Sequence, residues 1–392
     1  MRRSLKSGFY VRELQFIRAG RLEWRERERP TLVHPQDAIV RPFIAGRCDG
    51  DTLPIHTPVT TAFQCGMRLG LVDPIVGDIC GKAPFKGPFG IGHECVAEVI
   101  AVGEEVRSRA VGDIVVVPWA VSCGHCLECR RGLTAKCSTT REQVLSAYGF
   151  GPACGPWGGM IADELRVPFA DHMLVAIPDE IPPLRVASAS DNLADAWRCV
   201  APPLRERPGG SVLVLGGAAQ SIGLYAAGIA VRLGAEQVAY ADNDKTRLQI
   251  AEKLGVETIE LSSNRRRSLS KHIARRFDVA VEASSRSDGL DSALRLLNPG
   301  GICTAVGYYV APGTKVPIMH MYANGATLKV GVSHVRPVLP DLLQFVAREN
   351  FPAEAVATLV ADWEDAPQAY KARTTKLVLK RDPLGLRNSG GA

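Results

Sequence analysis

Ser211-Val212-Leu213-Val214-Leu215, running into Gly216-Gly217-Ala218-Ala219-Gln220-Ser221-Ile222-Gly223, is the stretch that decides the fold. An unbroken apolar run with no alternation is what a strand buried on both faces of a parallel sheet requires. The glycines after it let backbone approach a ligand closely, and the apolar segment Leu224 to Leu233 reads as the helix that follows. Backbone N–H groups at such a helix N-terminus suit a pyrophosphate, so Gly217, Ala219, Ser221, Ile222 and Gly223 are candidate cofactor contacts. The turn departs from G-x-G-x-x-G spacing, with Ala219 in the middle position and one residue too many. Context supports it instead. Gln237 to Ala241 reads as a second strand, ending at Asp242, nineteen residues past Gly223 and suited to accept from both ribose hydroxyls.

Downstream, the β-α alternation continues through Phe277–Glu282, a helix reaching Leu297, and a strand over Gly300–Val306, which predicts a doubly wound parallel sheet. Upstream the pattern differs. Residues 10–47 alternate apolar and polar with turn breaks, and Ala38 to Gly46 reads as a strand delivering Cys48 at its end. Residues 53–88 are rich in Pro and Gly and show no clear period, while Val96–Val102 and Ile114–Pro118 read as strands. Many short strands with such punctuation predict a barrel-like β domain. After about residue 333, a helix over Leu339–Arg348 and a strand over Lys376–Lys380 are expected to return to that first domain. The expected fold is thus α/β plus β, with domains at 1–185 and 186–332 and a return over 333–392; only the last ten residues read as disordered.

The 392 residues can bury a sizeable core, and 46% hydrophobic with 22% charged residues is ordinary globular composition. No apolar run is long enough to span a membrane, and no apolar segment follows Arg2-Arg3 to make a secretory signal. The net charge of +6 has one dense focus, Arg265-Arg266-Arg267, which reads as a solvated face and not as a nucleic-acid site. A small-molecule substrate is expected, with neither nucleic acid nor membrane as partner. Eleven cysteines without a signal point to metal ligation and free thiols in a reducing cytoplasm. Cys65, Cys80, Cys95, Cys154, Cys199 and Cys303 lack ligand spacing and read mostly as small core residues.

Cys123, Cys126, Cys129 and Cys137 form Cys-x2-Cys-x2-Cys-x7-Cys. Four thiolates within fifteen residues close a tetrahedron around Zn²⁺ and leave no open position, which makes a structural site. An iron–sulfur cluster is the rival, but the fourth cysteine comes too late and no proline follows it. A second group consists of Gly92-His93-Glu94 together with Cys48, Asp49 and Asp51 upstream. Taken singly, His93 reads as a satisfied core residue and Asp191 as a helix N-cap.

The cysteine lobe, Gly-His-Glu, the upstream cysteine and the nucleotide turn, in this order, resemble the zinc-containing medium-chain dehydrogenase/reductase (alcohol dehydrogenase) family over residues 10–380. Ala147-Tyr148-Gly149, Trp157-Gly158-Gly159 and Val167-Pro168-Phe169-Ala170-Asp171 resemble its glutathione-independent formaldehyde-dehydrogenase-like branch. The resemblance implies a GroES-like catalytic domain with a Rossmann domain, two zinc ions, NAD, and a homodimer or homotetramer. It implies a catalytic zinc on Cys48, His93 and Asp191, with water or substrate fourth. It matches Glu94 to the carboxylate behind the metal and Asp51 to the acid orienting the ligand histidine. Arg247 matches a basic position near the adenosine, and Lys376 a cationic position near the pyrophosphate.

Three features depart from the family pattern. Gly50 stands where Ser or Thr is usual, Leu53 stands for a common histidine, and 44 residues separate Cys48 from His93, about twice the usual interval. The extra residues, within 54–85, are expected either at the substrate entrance or in a subunit contact. The expected activity is zinc-dependent hydride transfer between NAD(H) and an alcohol or carbonyl carbon, the zinc polarising the substrate oxygen. The missing hydroxyl relay leaves open a reductase of an iminium or activated alkene, and a non-catalytic paralogue is the third reading.

Overall fold

The computed structural model describes residues 8–261 and 273–386, so the basic run at 265–267 lies outside the described residues. The chain separates into two units. One runs to Asp191 and resumes over His334–Ala347 and from Ala357; the other comprises Asn192–Ser333 and Arg348–Val356.

The second unit is built on the decisive stretch. Strand β9 (Val212–Leu215) is buried along its whole length. It lies between β10 (Val238–Asp242) and β12 (Phe277–Glu282), parallel to both, with Val214 opposite Tyr240 on one side and Val281 on the other. Completing the six-stranded parallel sheet are β11 (Glu257–Glu260) beyond β10, then β13 (Leu297–Ala305) and β14 (Thr327–Val330) beyond β12. Strand order 11-10-9-12-13-14 reverses direction at β9/β12, and ligands of such sheets bind outside the carboxyl ends at that reversal. The helix after β9 is Gln220–Arg232, so Ser221 to Gly223 are already helical rather than part of the turn.

The first unit is a β domain. A seven-stranded sheet runs β15 (Leu359–Asp362), β16 (Leu377–Lys380), β3 (Ala38–Gly46), β5 (Cys95–Val102), β6 (Ile114–Val117), β8 (Val175–Ala176), with β7 (Leu165–Val167) also on β3. Strands β1 (Tyr10–Arg18) and β2 (Arg21–Glu28) form a hairpin that continues into β4 (Phe89–Gly90). The returning β16 pairs antiparallel with β3, Val378 opposite Gly46, which places this returning segment beside the strand that delivers Cys48. The aperiodic segment resolves into short helices, Thr52–His56, Val59–Arg68 and Ile75–Cys80. The tail expectation needs correction up to Leu386. Leu384 and Leu386 donate their N–H groups to the buried Glu98 carboxylate at 2.5 and 2.6 Å.

Candidate active site

Three segments carry the first constellation. Cys48 follows β3 and caps the short turn Asp49–Asp51, its sulfur accepting from Gly50 N at 3.3 Å. His93 follows Gly92, where a φ of +93° and the Ile161 side chain, 2.4 Å from where a Cβ would stand, leave room for no side chain; the Tyr370 phenol oxygen lies 3.1 Å from the same point. Asp191 ends a loop fixed to β5 by Ser190, whose hydroxyl accepts from Cys95 N at 3.0 Å and donates to Cys95 O at 3.1 Å. Two residues before Cys95 stands His93. The structure therefore brings Cys48, His93 and Asp191 together, with Cys48 Sγ 3.1 Å and His93 Nε2 3.4 Å from Asp191 Oδ2. One donor atom from each lies within 4.8 Å of the others.

The chemistry of this set calls for a cation. Both His93 ring nitrogens are buried without a hydrogen-bond partner, an arrangement rarely left unsatisfied. Burial pulls the imidazole down, but Asp51, then Asp191 and Glu94, outweigh it and push its pKa up to about 9. The Cys48 thiol is driven well above its ordinary range by burial and then by Asp191, Asp51 and Glu94. A proton on His93 offsets only part of this buried negative charge. Zn²⁺ takes thiolate, imidazole and carboxylate ligands of this kind, and three protein ligands leave a position for substrate. Asp51 Oδ1 faces the other ring nitrogen, Nδ1, at 3.7 Å, the side from which an acid orients a ligand histidine.

Beneath the site, Glu94 Oε2 meets Lys376 Nζ at 2.6 Å, both side chains 0% exposed. Lys376 is thus committed to a buried ion pair, a role the sequence did not suggest; the resemblance had matched it to a pyrophosphate contact. Two further features escaped the sequence reading. Arg47 is buried next to the ligand cysteine, donating to the carbonyls of Tyr370, Ala372 and Thr374 at 2.6, 2.8 and 3.2 Å. An aromatic wall also stands on His93: Phe150 stacks on the imidazole at 4.5 Å, and Trp119 tilts against Phe150 at 5.7 Å. The quoted Tyr148-Gly149 motif ends one residue short of Phe150, the signal that could have found it.

Cys123, Cys126, Cys129 and Cys137 form the second constellation, their sulfurs all within 4.8 Å. Backbone N–H groups point at sulfur, Cys126 N to Cys123 at 3.3 Å and Cys123 N to Cys137 at 3.4 Å. Burial raises the Cys126 thiol, but donors from Cys129 and Ser138 outweigh it and bring it down to about 6, favouring the thiolate that binds metal. Of the remaining cysteines, Cys95, Cys154, Cys199 and Cys303 are buried as expected, whereas Cys65 is exposed and Cys80 half-buried.

In the nucleotide unit, a Cβ on Gly217 would stand 2.6 Å from Ser284 Cα, so only glycine fits there. No side chain of Ala219 caps the helix that follows, and the helix N-terminus carries the positive end of the helix dipole, which suits an anion. Gly223 lies where a Cβ would touch Val214, Tyr240 and Ala283 at 3.4 Å, the close helix-to-sheet approach of dinucleotide folds. Ser221 turns inward, its hydroxyl accepting from Asn192 Nδ2 at 2.9 Å. Ile222 and Ala219 are buried. Asp242, at the tip of β10, accepts from Tyr240 Oη at 2.8 Å and from Asn243 N and Asp244 N at 2.6 and 3.1 Å. Arg247 grips the same carboxylate through Nε and Nη2 at 2.7 and 2.8 Å. Burial raises the Asp242 carboxyl, but Arg247 outweighs it and holds the group below its ordinary range. Arg247 is therefore clamped to the acid at the end of β10 rather than free beside it.

A soft-ligand catalytic constellation, a closed four-thiolate lobe and a dinucleotide turn define a metal-dependent dehydrogenase. The family described as alcohol dehydrogenase GroES-like domain matches residues 34–179, and zinc-binding dehydrogenase matches residues 221–348. Among solved structures, the alcohol dehydrogenase TADH from Thermus sp. ATN1 is 30% identical, with a TM-score of 0.78 over 94% of this chain and 99% of that one. The probable zinc-binding alcohol dehydrogenase Rv1895 of Mycobacterium tuberculosis is 29% identical over 80% of this chain and 76% of its own. A glutathione-independent formaldehyde dehydrogenase of Bacillus subtilis is 28% identical over 79% of this chain and 86% of its own. The chain belongs to the zinc-containing medium-chain dehydrogenase/reductase family, and it is a zinc-dependent oxidoreductase. No helix among the described residues is long and apolar enough to cross a membrane.

Proposed function

We propose that this chain transfers hydride between NAD(H) and the hydroxyl- or carbonyl-bearing carbon of a small substrate, in the manner of the glutathione-independent formaldehyde-dehydrogenase-like branch. The observation that carries this reading is the convergence of Cys48, His93 and Asp191 as three donors, one fewer than a closed site needs. When bound there, zinc supplies Lewis acidity to the substrate oxygen, and NAD supplies the hydride acceptor. The chain's own residues do the rest. Asp51 holds the tautomer of His93 that presents Nε2, and the Glu94–Lys376 pair sits as a neutral unit behind the ligands. Phe150 and Trp119 form an apolar wall at the ligand histidine, which favours a substrate with an apolar face and excludes water.

Proton movement needs another route than a side-chain hydroxyl at position 50. Thr52 does not supply it, because its hydroxyl donates to Asp49 O at 2.6 Å. His56, half-buried and nearest in sequence, and ordered water are the carriers we assign. Asp242, with its carboxylate fixed at the end of β10, favours NAD over NADP, since a 2′-phosphate would meet a buried negative charge.

A second copy of the chain is the protein partner we assign, as a homodimer or homotetramer. Edge strand β14 carries Val330 70% exposed, and the helix Ile318–Asn324 before it exposes Ile318, Met319 and Tyr322 at 62, 73 and 81%. An unpaired edge with apolar neighbours is a pairing surface. We assign a cytoplasmic setting, which the free thiols favour because a reducing compartment would keep the four-thiolate lobe intact. The test is a panel of alcohols and aldehydes assayed with NAD⁺ or NADH on protein of known zinc content. If none reacts while a cyclic imine is reduced, the alcohol–carbonyl reading is wrong.

A further inference from the structure

Tyr370 belongs to the segment leading into β16 and is completely buried, yet its phenol oxygen has no hydrogen-bond partner. A buried hydroxyl left without an acceptor is costly, so something is expected to accept from it. Its surroundings are specific. The oxygen packs against Gly92, the residue before His93, and the Tyr370 carbonyl accepts from Arg47, the residue before Cys48. Both ends of the tyrosine are therefore anchored to the neighbours of metal ligands. Burial raises the phenol well above its ordinary value, and among the charges that add to this, Asp51 leads Glu94 and Cys48, so the group is a permanent O–H donor. A second orphan lies at the ligand histidine: Asp51 Oδ2 is buried without a partner, while Oδ1 faces His93 Nδ1 at 3.7 Å.

Matching the orphan donor to the orphan acceptor, we infer that Tyr370 is a positioning residue: its O–H donates towards Asp51 Oδ2 across one internal water, and so fixes the acid that aims His93 at the metal.

The physical need for such a donor is clear. Asp51 turns Oδ1 to His93 Nδ1 at 3.7 Å, so the buried carboxylate is left with a second oxygen that nothing holds, and an acid not held there cannot aim the imidazole. Arg47 does not supply the contact, because its guanidinium donates to three backbone carbonyls. A neutral hydroxyl supplies the missing hydrogen bond without adding a cation that would compete with zinc. The tyrosine also links the returning chain, which brings Lys376 to Glu94, to the two segments that bring Cys48 and His93.

This inference rests on Cys48, His93 and Asp191 as zinc ligands, and the test separates the two. Wild-type protein loaded with two zinc ions, one of them lost in Cys48→Ser, establishes the ligand reading; a single wild-type zinc overturns that reading first. Tyr370→Phe removes one oxygen and keeps the ring. With excess chelator, the catalytic zinc should leave about 10- to 100-fold faster than from wild type, the loss typical when a partner of a ligand is removed, while the four-thiolate zinc leaves at the wild-type rate. In Asp51→Asn the same second substitution should add nothing, because Tyr370 acts through that carboxylate. Release from Tyr370→Phe within twofold of wild type, or equal effects in both backgrounds, overturns the inference. Should Tyr370→Phe fail to fold, tyrosine labelled with ¹³C at Cζ decides it in the intact chain. Asp51→Asn must displace the Tyr370 resonance, and an unmoved resonance overturns the inference as surely.

Discussion

Replacing Asp242 by alanine tests the cofactor assignment at the atom that carries it. In the free chain this carboxylate accepts from Tyr240 Oη, from two backbone N–H groups and twice from Arg247. Removing it strands a guanidinium whose remaining partners are Gln220 at 3.3 Å and Asp244 at 3.6 Å. Breaking a buried pair of this kind typically costs about 3–5 kcal/mol, and the partial exposure of Arg247 puts the loss at the low end. The same carboxylate is expected to accept from the ribose, and a hydrogen bond to a charged group contributes about 1.5–3 kcal/mol. NADH affinity should therefore fall by about 10- to 150-fold. NADPH affinity should rise relative to NADH, because the stranded Arg247 turns from ion-pair partner into phosphate ligand. Fluorescence titration of wild type, Asp242→Ala and the double variant Asp242→Ala/Arg247→Met measures each step. The pH sign follows from the depressed carboxyl: its contribution is complete above the ordinary value of about 3.9 and is lost only as pH falls through the still lower folded value. The stability difference between wild type and Asp242→Asn should accordingly be flat from about pH 5 to 9. Wild type that binds NADPH as tightly as NADH, or an Asp242→Ala variant with unchanged NADH affinity, refutes the reasoning.

Elemental analysis should find two zinc ions per fully loaded chain; Cys48→Ser should lose turnover and keep the fold, whereas Cys126→Ser should mainly destabilise it, and iron or a single metal would contradict both constellations. His56→Ala should alter the pH dependence of kcat/KM below about pH 6.5, since burial, then Arg373 and Arg47, hold this imidazole low; an identical profile leaves water as the carrier. Leu69→Glu with Leu71→Glu, on the exposed tip between the helices Val59–Arg68 and Ile75–Cys80, should change KM across the alcohol panel with the oligomeric mass unchanged. A drop in mass with unchanged KM would assign the insertion to subunit contact instead. Val330→Lys, on edge strand β14, should lower the oligomeric mass measured by light scattering, and an unaltered mass removes that edge from the assembly.

The central strands were legible because burial on both faces leaves little freedom in residue choice: β9 reads as an unbroken apolar run, β10 and β12 follow from it as mostly apolar segments in β-α alternation, and all three form. Edge strands were not. Glu257–Glu260 and Thr327–Val330 mix charged and polar residues with one buried side at most, and nothing in so short a pattern distinguishes them from loop. The helix after β9 starts four residues earlier than its apolar run, because Ser221 and Gly223 are small for packing reasons and disguise the first turn. The insertion hid its helices for a related reason. Its longest has ten residues, prolines precede two of the three, and a helical period needs more turns than that to show.

For the site, sequence spacing and family resemblance were enough to collect ligands, because donor types are few and their order along the chain is distinctive. They were silent on what balances those ligands. Cys48, Asp51, His93, Glu94 and Asp191 gather four acidic groups around one imidazole, and the compensation comes from Arg47 and Lys376, neither of which carries a metal-site signature. Lys376 is 282 residues from Glu94, and its position is set by β16 pairing with β3, a long-range register no local pattern encodes. The two cations also differ in how they act. Lys376 neutralises one carboxylate directly, whereas Arg47 holds backbone carbonyls and reaches the acids only through its field. A site assembled this way keeps the cations off the ligand atoms while lowering the cost of crowding so many acids in the dry interior. Cys48, His93 and Asp191 would then offer a zinc ion donors that their neighbours already hold in place, which is what partners behind metal ligands contribute to affinity.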